Sequence, residues 1–173
     1  MCAAEMKMPG MASELIMDLR GTLEWLKQEG DLMETDHPVD PDIELTAIQK
    51  NMDGSCPILF NNVKGKPNHR AVTNLFGDMN VVNKMFGWTD DVDRTKKLSY
   101  ALDHPLPPVE IGQEEAPCQE VVIEDPVNVN DYIIPIRHTE YEPELTVGSG
   151  NRVVAGKYFD GGTDLGYNRM NFR

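Results

Sequence analysis

Apolar residues recur at helical spacing directly after Asp18. Leu19, Leu23 and Leu26 share one face, Asp18 is a suitable N-cap, and Gly30 stands where a helix-terminating glycine is expected. DLMETD (31–36) then reads as a short strand. Asp40-Pro41 predicts the opening of a second helix, a capping residue followed by proline at the first helical position, with Leu45, Ile48 and Met52 as its apolar stripe and Gly54 as its end. PILFNNV (57–63) and RAVTNLFG (70–77) are strand-like, and KGKPN turns between them. Two more helical patterns follow. One runs from Asp78 to Phe86 with Val81, Val82, Met85 and Phe86, closed by Gly87; the other runs from about Thr89 to Leu102 with Val92, Leu98 and Leu102. The order α-β-α-β-β-α-α predicts an α+β module over residues 18–104.

The pattern changes after that. Residues 105–119, within DHPLPPVEIGQEEAPCQ, are rich in proline and acidic residues and read as an inter-domain connection. From 120 to 173 the chain is β-branched and interrupted by Pro126 and Pro135. RVVAGKYF and DLGYNRMNF flank DGGT, whose two glycines predict a hairpin. Residues 1–17 are Met-rich, lack the basic and apolar regions of a signal peptide, and read as a disordered leader.

Composition narrows the function classes. With 173 residues the chain is one domain or one domain and part of another, and its net charge of −13 argues against a nucleic-acid or anionic-membrane surface. Cys2, Cys56 and Cys118 are odd in number and lack metal spacing, which suits a reducing cytoplasm. No apolar run is long enough for a membrane-spanning helix. His37, His69 and His104 sit beside prolines or in turns and read as surface residues. His138, Glu140, Glu142 and Glu144 in HTEYEPE have metal-ligand chemistry, but an acidic loop between strands is the commoner origin of such a run.

The segment TDLGYNRMNFR carries a sharper question. In a regular strand Asp164, Gly166, Asn168, Met170 and Phe172 share one face, with Leu165, Tyr167, Arg169 and Arg173 on the other. Asp164 and Arg169 therefore have opposite parity and lie ~16 Å apart. A ligand that touches both is long, or the strand is irregular. A plain exposed strand is the simpler alternative. Gly166 weakens a strand and marks a bulge or a close approach by a ligand.

DLRGTLEWLKQEGDLMETDHPVDPDIELTAI, CPILFNNVKGKPNHRAVTNLFGDMNVVNKMFG and the terminal DLGYNRM together resemble the UbiD-type family of (de)carboxylases that use prenylated flavin mononucleotide. The resemblance covers the chain from Asp18 onward. It implies an N-terminal α+β module followed by the first strands of a flavin-binding split β-barrel, incomplete in this chain. It implies that Arg169 is the catalytic arginine, held beside the flavin ring and the substrate carboxylate, a task suited to a planar fork that keeps its charge. Asp164 would take the metal-ligand position for Mn2+ and Leu165 would offer a carbonyl to K+, both hard oxygen donors. Leu165, Gly166, Tyr167, Asn168 and Arg169 would line the cofactor, which explains how one ligand meets both parities.

The activity implied is that of a carboxy-lyase acting on an aromatic or α,β-unsaturated acid. The glutamates and the further metal ligands of the family fall beyond Arg173. The resemblance therefore implies a partner chain carrying the rest of the barrel and the C-terminal domain, or a homo-oligomer, with a flavin prenyltransferase as cofactor supplier. The isolated chain is expected to be inactive and to associate or unfold readily. A non-catalytic assembly or regulatory module is the alternative, and a plain flavin-binding barrel for electron transfer a third reading.

Overall fold

Asp18 caps the first helix as its position predicts. Its carboxylate accepts a hydrogen bond from the Gly21 N–H at 2.7 Å, and α1 runs Leu19–Glu29. Gly30 closes the helix at φ 77: its N–H bonds the Lys27 carbonyl and the Asp31 N–H bonds the Leu26 carbonyl, so two otherwise orphaned carbonyls are satisfied. The structure, a computed structural model, describes residues 18–107, 109–124, 127–147, 153–157, 163–167 and 170–172.

The element order follows the sequence pattern: β1 (Met33–Thr35), α2 (Glu44–Asn51), β2 (Ile58–Phe60), β3 (Ala71–Thr73), α3 (Met79–Phe86) and α4 (Asp91–Asp103). Four further strands come after the proline-rich region: β4 (Leu145–Val147), β5 (Val153–Lys157), β6 (Thr163–Tyr167) and β7 (Met170–Phe172). The class is α+β. Packing groups the chain into one unit of residues 1–25 with 79–128 and a second of 26–78 with 129–173, so the compact units cut across the linear order of segments.

In the second unit β1, β2 and β3 form one sheet, β1 parallel and β3 antiparallel to β2. Leu45 of α2 joins Val39, Ile58, Phe60 and Val63 in its core, and Ile134 and Ile136 pack against that cluster from the far end of the sequence. Each such side chain contributes about 1.5–3 kcal/mol by leaving water. The stretch YIIPI thus builds onto the first sheet. Arg137 completes the attachment with a two-point contact to Asp42, Nε to Oδ1 at 2.6 Å and Nη2 to Oδ2 at 2.8 Å, while the Ile43 N–H bonds the Arg137 carbonyl.

Three local predictions are corrected by backbone detail. The second helix starts at Glu44, not at Asp40-Pro41. The Asp40 carboxylate accepts from the Asp42 N–H and the Glu44 carboxylate reaches back to the Asp40 N–H, so residues 40–43 form a turn, with Ile43 at φ 70. The strand in PILFNNV ends at Phe60. RAVTNLFG is strand only to Thr73, because Asn74 takes a left-handed φ of 55.

Asn74 explains that interruption. Its amide donates to the Gln49 and Met52 carbonyls at 3.3 and 2.9 Å, satisfying the end of α2 from outside the helix. A Cβ on Gly77 would come within 3.1 Å of the Asn74 Cβ and 3.2 Å of the Ser55 carbonyl, so glycine is what allows the turn to close. TNLFG is a fastening between β3 and α2.

In the first unit Trp25, Val81, Val82 and Met85 are the buried apolar side chains. Asp90 caps α4 by accepting from the Asp93 N–H at 2.8 Å. No side chain of α4 is buried: Val92, Leu98 and Leu102, which the spacing places toward a core, are 61%, 48% and 82% exposed. Residues 105–124 hold two short 3-10 turns, Gln113–Glu115 and Pro117–Gln119, with Val109, Ile111 and Val121 exposed.

Candidate functional site

The candidate strand is positioned in steps. Ile136 is held in the core of the second unit, and it exchanges backbone hydrogen bonds with Thr146 at 2.7 and 2.8 Å. Thr146 lies in β4, and β4 pairs antiparallel with β7, Val147 opposite Met170 and Leu145 opposite Phe172. The backbone just before β7 carries β6, whose partner is different: β5, in the register Gly156 to Asp164, Ala155 to Leu165, Val154 to Gly166 and Val153 to Tyr167.

This is the expected hairpin, with an irregularity added. Between Tyr167 and Met170 the chain leaves one ladder and joins another. By strand alternation Asp164 and Gly166 share a face with their cross-strand neighbours Gly156 and Val154. Two of those four positions are glycine.

Of the predicted site residues, the backbone of Asp164, Leu165, Gly166 and Tyr167 forms β6. Asn168 and Arg169, like Cys2 and the leader, lie outside the described residues. The donor chemistry fits a hard cation: a carboxylate at Asp164 and the adjoining Leu165 carbonyl are the oxygen types that Mn2+ and K+ take.

HTEYEPE resolves differently. The Glu142 carboxylate accepts from the His138 N–H at 2.7 Å and lies 3.2 Å from its Nδ1, and the Thr146 hydroxyl is 3.3 Å from the same nitrogen. Glu140 is exposed, and no group of three or more His, Cys, Asp or Glu among the described residues is placed to hold a metal. The run is a loop clasp beside β4. His37 and His104 are exposed and His69 is half-buried; Cys56 is a free, half-buried thiol.

Charge perturbations among the described residues belong to the scaffold. The hydrogen bond from Lys27 lowers the Glu34 carboxyl below its usual range, the Asp40 N–H does so for Glu44, and Lys97 does so for Asp93. The Asp42 contact raises Arg137. Sequence reasoning missed the Arg137–Asp42 and Asn74 fastenings, because partners 95 and 22 residues apart leave no periodic trace. The one available signal was Asn in TNLFG, a residue that tolerates the left-handed region. No helix among the described residues is long and apolar enough to cross a membrane.

Comparison with known proteins bears on the N-terminal module. Residues 23–102 match the family model of the 3-octaprenyl-4-hydroxybenzoate carboxy-lyase N-terminal domain. The chain is 29% identical over 152 residues to the phenolic acid decarboxylase of Sedimentibacter hydroxybenzoicus, covering 83% of this chain and 31% of that protein. It is 32% identical over 116 residues to the gallate decarboxylase of Lactiplantibacillus plantarum, covering 61% and 24%. Its fold matches the open form of Sedimentibacter hydroxybenzoicus vanillic acid decarboxylase (ShVdcCD), solved with truncated ShVdcD, at a TM-score of 0.76 and 26% identity over 90% of this chain and 34% of that one. It also matches HmfF of Pelotomaculum thermopropionicum, a UbiD-class enzyme in complex with prFMN, at 0.75 and 24% identity, over 87% and 34%, a likeness of fold. The chain spans about a third or less of the length of the curated relatives it matches.

Proposed function

We propose that this chain belongs to the UbiD-type carboxy-lyase family, whose N-terminal domain residues 23–102 match, and that it is the N-terminal part or small subunit of a prenylated-FMN-dependent reversible decarboxylase acting on an aromatic or α,β-unsaturated carboxylic acid. The observation that carries the reading is the reach of the similarity to a phenolic acid decarboxylase over 83% of the chain, well beyond residues 23–102.

In this reading the Asp164 carboxylate and the Leu165 carbonyl would hold Mn2+ and K+. Gly166, Tyr167 and Asn168 would contribute backbone contacts to the cofactor. Arg169 grips the substrate carboxylate and keeps it charged and oriented while water is excluded. When bound, the prenylated flavin supplies the electron-accepting centre for loss of carbon dioxide, and the protein supplies position and charge. A separate chain or a second copy completes the barrel, and a flavin prenyltransferase supplies the cofactor in the cytoplasm. The ShVdcD component in the vanillic acid decarboxylase structure supports a multi-chain arrangement.

Combining the chain with a polypeptide carrying the remaining barrel, prenylated FMN and Mn2+ is expected to give carbon dioxide release from an aromatic acid. Arg169→Ala is expected to lower kcat at least about a hundredfold, the scale for removing one transition-state donor. Unchanged turnover in that variant overturns the assignment. The exposed apolar side chains of α4 favour one second reading, a non-catalytic assembly module. It predicts partner capture by this chain that survives Asp164→Ala and Arg169→Ala together, with no turnover in any combination.

A further inference from the structure

One face of the small sheet is only partly covered. Beside α2, where β1 forms the sheet edge, a pocket of about 240 Å³ opens in the second unit. Met33, Val39, Ile48, Met52, Ile58 and Phe60 make its apolar wall, and Thr35 and His37 supply its polar groups. Met33 and Thr35 stand opposite Ile58 and Phe60 in the parallel register, which puts them on the same face of the sheet. The hollow therefore follows from the strand pairing.

The chemistry of the lining selects a ligand class. An apolar cavity of about 150 Å³ binds benzene, so this one has room for a single substituted ring. Met33 and Met52 offer polarizable sulfur, favourable to a ring, over a floor that includes the buried Phe60. The Thr35 hydroxyl accepts from the His37 N–H at 3.1 Å, which leaves its own proton to donate to one hydroxyl of the ligand. No Lys or Arg lines the pocket, and the Glu44 carboxylate is close enough to His37 for their charges to interact. A carboxylate entering here would lose its hydration with no fixed cation in return, at a cost far above that of a neutral phenol.

We propose that this pocket is a binding site for a small neutral phenol and that it excludes the corresponding aromatic acid. Decarboxylation of a phenolic acid turns the excluded species into the accepted one, so the site distinguishes product from substrate. That role as a product site rests on the decarboxylase reading; the binding preference rests on the pocket alone.

The test uses the full chain at pH 8. Catechol and phenol, titrated against methionine-methyl resonances, are expected to bind at least about tenfold more tightly than 4-hydroxybenzoate, since an unpaired carboxylate loses far more than that on burial. Met33→Trp, which fills the pocket from its exposed edge, is expected to abolish binding without moving the thermal midpoint. Thr35→Val is expected to weaken phenol severalfold while leaving toluene unchanged. Equal affinity for phenol and its acid, binding that survives Met33→Trp, or no methyl shift at saturating phenol each overturns the proposal. Absence of carbon dioxide release from the assembled enzyme would instead strike the decarboxylase reading and leave the binding result standing.

Discussion

Two regions of this chain use similar residues to opposite effect. Around β2, the side chains of Leu45, Ile58, Phe60 and Val63 are almost wholly withdrawn from water, and partners arrive from residues 134 and 136. Val92, Leu98 and Leu102 stand exposed on α4, a helix that is well capped and ion-paired, and Leu106 and Val109 in the segment after it are exposed as well. Capping, local salt bridges and helical periodicity are all present in α4. What it lacks, among the described residues, is a complementary surface. Secondary structure is a local achievement, and a core requires that something distant be shaped to receive it.

The widest separation between the regions should appear in large-to-small substitutions. Leu45→Ala is expected to cost about 2–5 kcal/mol, against within about 0.5 kcal/mol for Leu102→Ala, measured by urea unfolding of the purified chain. Similar losses at both positions would show that α4 is covered in solution, for instance by a second copy, and would erase the contrast.

Next in size is Asn74→Ala, expected to cost about 1–3 kcal/mol by removing the Asn74 donor from the Gln49 carbonyl, while the Met52 carbonyl keeps the Ser55 N–H and hydroxyl. Gly77→Ala strikes the same fastening from the other side by crowding Ser55 and Asn74. If either variant unfolds at the parental urea midpoint, the fastening is ornamental.

Acid provides a gentler probe that touches both regions. Glu34 and Glu44 in the sheet unit and Asp93 in α4 have carboxyls lowered in the folded state. Their contribution is present in full above the unfolded carboxyl values near 4.5 and 3.8 and is lost as pH falls through the lower folded values. Glu34→Gln is expected to flatten the acid limb of the sheet unit's stability, whereas Asp93→Asn should alter only the helicity of α4. Parallel changes in both signals would mean that the regions unfold as one. The smallest effect is expected from Leu102→Lys, which should leave the thermal midpoint within a degree or two, because an exposed position has little burial to forfeit.

These contrasts also show what the sequence could and could not disclose. The order of helices and strands was legible, since Asp18, Gly30, Gly54, Gly87 and the apolar spacing between them are local signals. The hairpin of β5 and β6 was legible from its glycine-bearing turn. The fate of Val92, Leu98 and Leu102 was not, because spacing reveals which residues share a face and is silent about whether anything meets it. The start of α2 was displaced by the mutual bonding of Asp40 and Glu44, a detail that cap preferences alone cannot rank. In the candidate site, the change of strand partner between β6 and β7 was not legible, because it depends on β4, about twenty residues upstream of β6.

That hand-off from β5 to β4 has an evolutionary corollary. The backbone of β7 takes its placement from β4 and, through Ile136, from the core, whereas β6 takes its own from the hairpin with β5. The two ends of one short segment are thus anchored by separate supports. Sequence drift in β4 can therefore shift β7 while the pairing of β5 with β6 stays as it is, so two short neighbouring strands are free to diverge at different rates.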